Sequence, residues 1–200
     1  MSAAAPAPGF ANPVSDAQAT FRAALHAMAH PGRVMEAGVG LSPPAPLYPA
    51  TAAVALALLD MDTPLWLDAA ADTDEVRGWF AFHCGCPVTG DAAEAAFAII
   101  AAPGVSTRFG DFSTGSDEAP ERAATLIVQA ARFRPGQGRR LSGPGIDGAS
   151  LLQVDNVPEA FWAWRAGQEG AFPRGVDVLF AAGFALCALP RTTIVSGMGG

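Results

Sequence analysis

The 200-residue sequence predicts one layered α/β domain built on a mixed sheet. Three observations point there. Helical periodicities alternate with short, continuous apolar runs of the kind that fill internal strands. Two late runs, Val176–Phe180 and Ala185–Leu189, flank an Ala182-Gly183 turn and read as a hairpin. Helical stretches between the earlier runs supply the crossovers that parallel strands need, so hairpin and crossover pairing share one sheet.

Residues 1–12 form an Ala/Pro lead-in, expected to be disordered, and 13–200 the single α/β domain. Ser15 and Gln18 are spaced as a capping box, and the helix that follows carries Phe21, Leu25 and Met28 along one face. Pro31-Gly32 ends it, a short strand follows near Val34-Met35, and Ser42–Pro49 is a Pro-rich loop. Thr51–Leu59 is Ala/Leu-rich and reads as a buried helix, and Thr63–Asp68 as an internal strand. Asp72-Thr73-Asp74-Glu75 caps a helix bearing Val76, Trp79 and Phe80, before a strand at Ala96–Ala101. A glycine- and acid-rich loop, Gly104–Pro120, leads into Ala124–Gln129, the strongest strand of the chain. Gly138–Ser142 is a shorter strand running into the Gly143-Pro144-Gly145 turn. Pro158 then opens a helix containing Phe161, Trp162 and Trp164.

Composition narrows the function. Half the residues are apolar, 16% are charged and the formal charge is −7, which leaves an apolar surface suited to self-association or complex membership. All twelve basic residues are arginine. No amine is present for a Schiff base or for the lysine of a phosphate loop. Residues 1–107 hold only three of the arginines but ten of the nineteen acids, so no dominant basic face exists for nucleic acid. The most apolar stretch, Ala50–Leu59, is too short to span a bilayer, and the N-terminus lacks the pattern of a secretory signal. Three cysteines make no disulfide framework, so a cytoplasmic protein is expected.

Arginine beside glycine or proline marks the second half: Arg140–Ile146, Phe172–Asp177 and Leu189–Thr193. Guanidinium is a planar fork that matches phosphate and carboxylate oxygens, so Arg22, Arg140 and Arg191 are candidate ligand or interface residues. Ser142, Gly143, Thr192 and Thr193 stand beside them and complete the candidate set. Arg132, Arg134, Arg139 and Arg140 read either as a solvated hairpin end or as a seat for one phosphate-bearing ligand. Ser142-Gly143-Pro144-Gly145 reads as a structural turn before an anion nest, because Pro144 brings no donor. His83-Cys84-Gly85-Cys86 lacks finger or redox spacing, and Cys187 sits in an apolar strand, so no metal is expected. No Gly-x-Ser-x-Gly elbow occurs.

Nine stretches, in order from Pro13 to Val195, then give the chain a family resemblance. They include Asp16-Ala17-Gln18 with Phe21-Arg22, Ala27-Met28 with Pro31-Gly32, Asp62–Leu67, Phe82-His83 and Ser113-Thr114-Gly115 ahead of Ala119-Pro120-Glu121. Ala124–Ile127, Arg140–Ile146, Phe172-Pro173 with Gly175-Val176-Asp177, and Pro190–Thr193 complete them. In these the sequence resembles the PhnH family, one component of the bacterial carbon–phosphorus lyase machinery for phosphonate use. The resemblance implies a fold similar to the pyridoxal-phosphate (PLP)-dependent transferases but lacking PLP, with no cofactor of its own. It implies partners, the G, I and J subunits of a core complex acting on ATP and alkylphosphonate, and carries no family catalytic residue onto this chain. A homodimer is expected for the isolated protein, with a phosphonate or phosphate-bearing small molecule as its possible ligand.

Overall fold

A computed structural model describes residues 6–104 and 107–198. In order the elements are α1 (Pro13–Ala29), β1 (Met35–Glu36), α2 (Pro49–Leu58), β2 (Leu65–Leu67), α3 (Asp74–His83), β3 (Phe97–Ile100) and β4 (Thr125–Gln129). They continue with β5 (Arg132–Ser142), β6 (Ser150–Asp155), α4 (Glu159–Ala166), β7 (Asp177–Ala182), β8 (Ala185–Leu189) and β9 (Ile194–Met198). Single 3-10 turns occupy 92–94, 109–111 and 120–122.

Six strands form a mixed sheet in the order β1-β8-β7-β4-β3-β2. β2, β3, β4 and β7 run parallel, while β8 is antiparallel to both β7 and β1. Alternation along the strands splits the core in two. Ile99, Ile127, Leu179 and Leu186 face one layer with α1, α2 and α3. Ile100, Leu126, Val128, Val178 and Phe180 face the other. That second layer is composite: Phe161 and Trp162 of α4 lie beside Leu141, Leu152 and Val195 of a smaller sheet ordered β6-β5-β9. The α/β reading and the mixed sheet hold. The smaller sheet is the addition, because β6 and β9 have no clear strand pattern and β5 is eleven residues long rather than five.

Three local readings change. α1 starts at Pro13 with Asn12 as N-cap, and the Asp16 carboxylate accepts the Asn12 N–H at 2.9 Å, so Ser15 is no cap. Second, α1 buries Thr20, Ala23, Ala24 and Ala27, small residues that let the Ala-rich α2 come close. Its large face turns outward: Val14, Phe21 and Leu25 are 76, 50 and 58% exposed. Third, the lead-in is docked where it is described. Trp79 Nε1 donates to the Ala7 carbonyl at 2.8 Å, His83 Nε2 lies 2.9 Å from the same oxygen, and Phe10 packs on the core.

Candidate functional site

The signature stretches lie far apart in sequence, yet most converge where β4 and β7 begin and β8 ends. Asp177 opens β7, and Arg191 follows β8 by two residues. Arg191 Nε and Nη2 donate to Asp177 Oδ2 at 3.1 and 2.7 Å, and the Arg191 backbone N–H donates to Oδ1 at 2.7 Å. Arg191 Nη1 reaches the carbonyls of Pro120 (2.8 Å) and Pro173 (3.2 Å). One guanidinium thus ties together the Ala119–Glu121, Phe172–Asp177 and Pro190–Thr193 stretches. Gly175 donates its N–H to the Thr114 carbonyl at 2.9 Å, adding the Ser113–Gly115 stretch. At its φ of 138°, a Cβ on Gly175 would stand 2.9 Å from Arg191 Cβ, so only glycine lets the two stretches meet. Both ion-pair partners are about 15% exposed, which strengthens the pair relative to a surface one.

A second arginine, absent from the candidate set, lies underneath. Arg165 is buried on α4, donating Nη1 to the Val176 carbonyl (2.7 Å) and Nη2 to the carbonyls of Pro190 and Thr193. Among the described residues its Nε has no partner, nor has the buried Thr193 Oγ1. Burial lowers the Arg165 pKa to about 10, with the Asp177 charge opposing that shift. It stays a cation at neutral pH, held by carbonyl dipoles. The sequence did carry a signal, since Arg165 follows Phe161 by one helical turn on the apolar face of α4.

The Ser142–Gly145 turn seats against this hub from the other side. Gly143 has φ 122°, and a Cβ there would lie 2.8 Å from the Thr192 carbonyl oxygen; Ser142 pairs with Ile194 across β5 and β9. Gly145, at φ 82°, packs so closely on the Ala29 carbonyl that any Cβ would overlap it. The turn closes on itself through Ile146 N–H to the Gly143 carbonyl at 3.2 Å, which occupies a donor that an anion nest would need.

The seven candidates therefore separate. Ser142, Gly143, Arg191, Thr192 and Thr193 are brought together, with four of the five Arg191 guanidinium N–H donors engaged by its own chain. Arg140 is exposed on β5 between Leu151 and Ser196. Arg22 is exposed on α1, about two helical turns before Ala29, beside Phe21 and Ala57 in a shallow groove. Neither Arg22 nor Arg140 has an ion-pair partner among the described residues. Arg134 pairs with Asp155, and Arg139 with Glu159 while lying over the Trp162 ring, so two of the four arginines of this hairpin are paired within the chain.

Among the described residues no three His, Cys, Asp or Glu side chains gather as metal ligands. Cys84, Cys86 and Cys187 are all free thiols; the neighbouring thiols raise the Cys84 pKa and lower that of Cys86, and burial lifts Cys187 to about 12.

Fold and hub define a class: an α/β protein whose signature loops are locked together by buried arginines at one sheet edge. Comparison with known proteins gives the family. The sequence model of the family described as bacterial phosphonate metabolism protein (PhnH) matches residues 8–196, and the chain belongs to that family. It is 38% identical over 184 residues, 92% of each chain, to the alpha-D-ribose 1-methylphosphonate 5-triphosphate synthase subunit PhnH of Rhizobium meliloti (strain 1021). It is 39% identical over 82 residues, 41% of this chain and 42% of the relative, to a Stutzerimonas stutzeri protein bearing the name C-P lyase subunit protein HtxG.

Proposed function

We propose that this chain serves as the PhnH-family component of a carbon–phosphorus lyase core complex, supporting the step that joins ATP and an alkylphosphonate. The observation that carries it is the 38% identity along nearly the whole length of a curated synthase subunit. The lysine-free sequence supports a protein that works without PLP on a fold similar to the PLP-dependent transferases. On this reading the partners are the G, I and J subunits, the compartment is the cytoplasm, and the isolated protein pairs with itself. The outward Val14, Phe21 and Leu25 of α1 support such pairing, since exposed apolar surface of this kind is normally covered.

The hub favours a second reading, a purely structural scaffold with no ligand site of its own, because four of the five Arg191 guanidinium N–H donors are used internally. Arg22 and Arg140 separate the two. Co-expression with the G, I and J subunits, with a tag on this chain, should recover all four proteins together. Arg140→Ala or Arg22→Ala that assembles normally but abolishes phosphonate-dependent growth supports ligand contact. Failure to recover the other three proteins overturns the proposal.

A further inference from the structure

At the opposite edge of the sheet, where the parallel strands end, an open α/β sheet ordinarily receives its ligands. Here the middle of that edge is closed by the chain itself. Gln129, last residue of β4, accepts the Tyr48 N–H (2.6 Å) and the Thr51 hydroxyl (2.9 Å) and donates to the Pro46 carbonyl (3.0 Å). The loop before α2 therefore covers β4. Beyond it, a crevice of about 460 Å³ remains open alongside Trp66 of β2 and the residues that follow β2 and β3, a size that suits a small ligand.

Its construction is specific. Asp68, the residue after β2, is 8% exposed and lines the crevice. Its two oxygens are held by one backbone donor each, Ala71 N–H on Oδ1 at 2.9 Å and Ala102 N–H on Oδ2 at 2.8 Å. A carboxylate accepts about four hydrogen bonds, so among the described residues each oxygen keeps a free lone pair. No cation pairs with Asp68 among the described residues. Trp66 and Phe112, edge-to-face at 5.3 Å, form an aromatic wall, and the small side chains of Ala70, Ala92 and Ala102 leave the space beside it open. At the rim, Arg108 is paired with Asp111 at 3.3 Å, so the cation there is already matched.

We propose that this crevice binds a flat ring carrying an amidine or amino group, its N–H donors on Asp68 and its face against Trp66. An aromatic wall with a fixed carboxylate favours a planar cation over an anion. The chain's own field agrees, since ten of the nineteen acids lie in its first 107 residues against three arginines. This inference does not depend on membership of a complex.

The probe is benzamidine, titrated into the full-length protein while tryptophan fluorescence is followed, with binding measured in parallel by calorimetry. Saturable binding below about 10 mM is expected, as suits a ligand of this size in an open crevice. Ala102→Leu, which fills the crevice from its wall, should abolish binding with the melting temperature unchanged. Asp68→Asn should weaken binding at least about tenfold, the loss of a charge-assisted hydrogen bond. Trp66→Phe should remove the fluorescence response while calorimetry still detects binding. No saturation, tighter binding of benzoate than benzamidine, or equal binding by Ala102→Leu would each overturn the proposal. Asp68 also holds two backbone donors, so circular dichroism must show Asp68→Asn folded before its affinity is read.

Discussion

The two edges of the central sheet use polar side chains in opposite ways. Where the parallel strands begin, Arg191 and Arg165 direct their donors to Asp177 and to five backbone carbonyls. Where they end, Gln129 is likewise engaged over β4, but among the described residues Asp68 beyond β2 keeps spare acceptors that face an open crevice. Apart from the buried Arg165 Nε and Thr193 Oγ1, the hub spends its donors on its own chain and leaves little for a ligand, whereas a held but unsaturated group on an open crevice is preorganised to bind one. Conspicuous residue types therefore say less about function than whether their hydrogen-bonding capacity is already used.

The largest test of that contrast is Arg191→Ala. It leaves the Asp177 carboxylate mostly buried without its cation and frees the carbonyls of Pro120 and Pro173. Removing one member of a buried pair costs about 3–5 kcal/mol. Chemical denaturation should show a loss of that order, with Arg191→Lys between the two because an ammonium cannot reproduce the fork. A loss below about 1 kcal/mol would mean that the hub is not structural.

Glycines give the next largest effect and a built-in control. Gly145→Ala adds a Cβ onto the Ala29 carbonyl at positive φ, so α1 and the turn must separate, at about 2–4 kcal/mol. Gly40→Ala, at φ 84° with open space around it, carries only the backbone strain, about 1 kcal/mol. Equal melting temperatures for the two variants would refute the close approach.

Legibility in the sequence follows the same physics. Elements with an unbroken apolar run or a cap, such as β4 and α3 with Thr73 accepting the Val76 N–H, are legible where they occur. Those that escape the sequence are held by tertiary pairing. β9 reads Ile-Val-Ser-Gly-Met, and only β5 beside it makes it a strand. β6, Ser-Leu-Leu-Gln-Val-Asp, buries Leu152 and Val154 with only Gln153 between them, an alternation too short to mark a strand. In α1 the large apolar face is legible, but not its direction, which the fit of Ala24 and Ala27 against α2 decides. For the site, spacing marks Arg191 as special without showing that Asp177, fourteen residues earlier, absorbs it. Asp68 carries no local signal, because its importance arises from Ala102, thirty-four residues away.

Cys187 provides a smaller, pH-dependent effect within the same core. Burial lifts its pKa from an ordinary 9.0 to about 12, so the folded state holds the thiol proton more tightly than the unfolded chain. The sign follows by linkage: this contribution is complete below pH 9 and is lost as pH rises toward 12. Iodoacetamide at about pH 8, below the ordinary thiol range, should leave Cys187 unmodified until denaturant is added. Cys84, partly exposed, remains the more accessible thiol. Rapid alkylation of Cys187 in the folded protein would show that this core opens readily.

The smallest stability effect is expected where the functional stake of the proposed complex is largest. Arg140→Ala removes an exposed guanidinium with no ion-pair partner among the described residues, from a strand paired on both sides by backbone. Arg22→Ala does the same on the outer face of α1. Surface changes of this kind stay within about 0.5 kcal/mol. If either arginine meets a partner's carboxylate or a phosphate at a buried contact, its removal costs about 2–5 kcal/mol of binding, enough to lose a partner protein on a column. The two quantities separate cleanly when melting temperature and recovery of the G, I and J subunits are measured on the same preparation. A variant that melts early yet assembles fully would place these arginines with Arg191, as side chains that hold the chain together. A variant with unchanged melting and lost assembly would mark the surface that the buried hub exists to support.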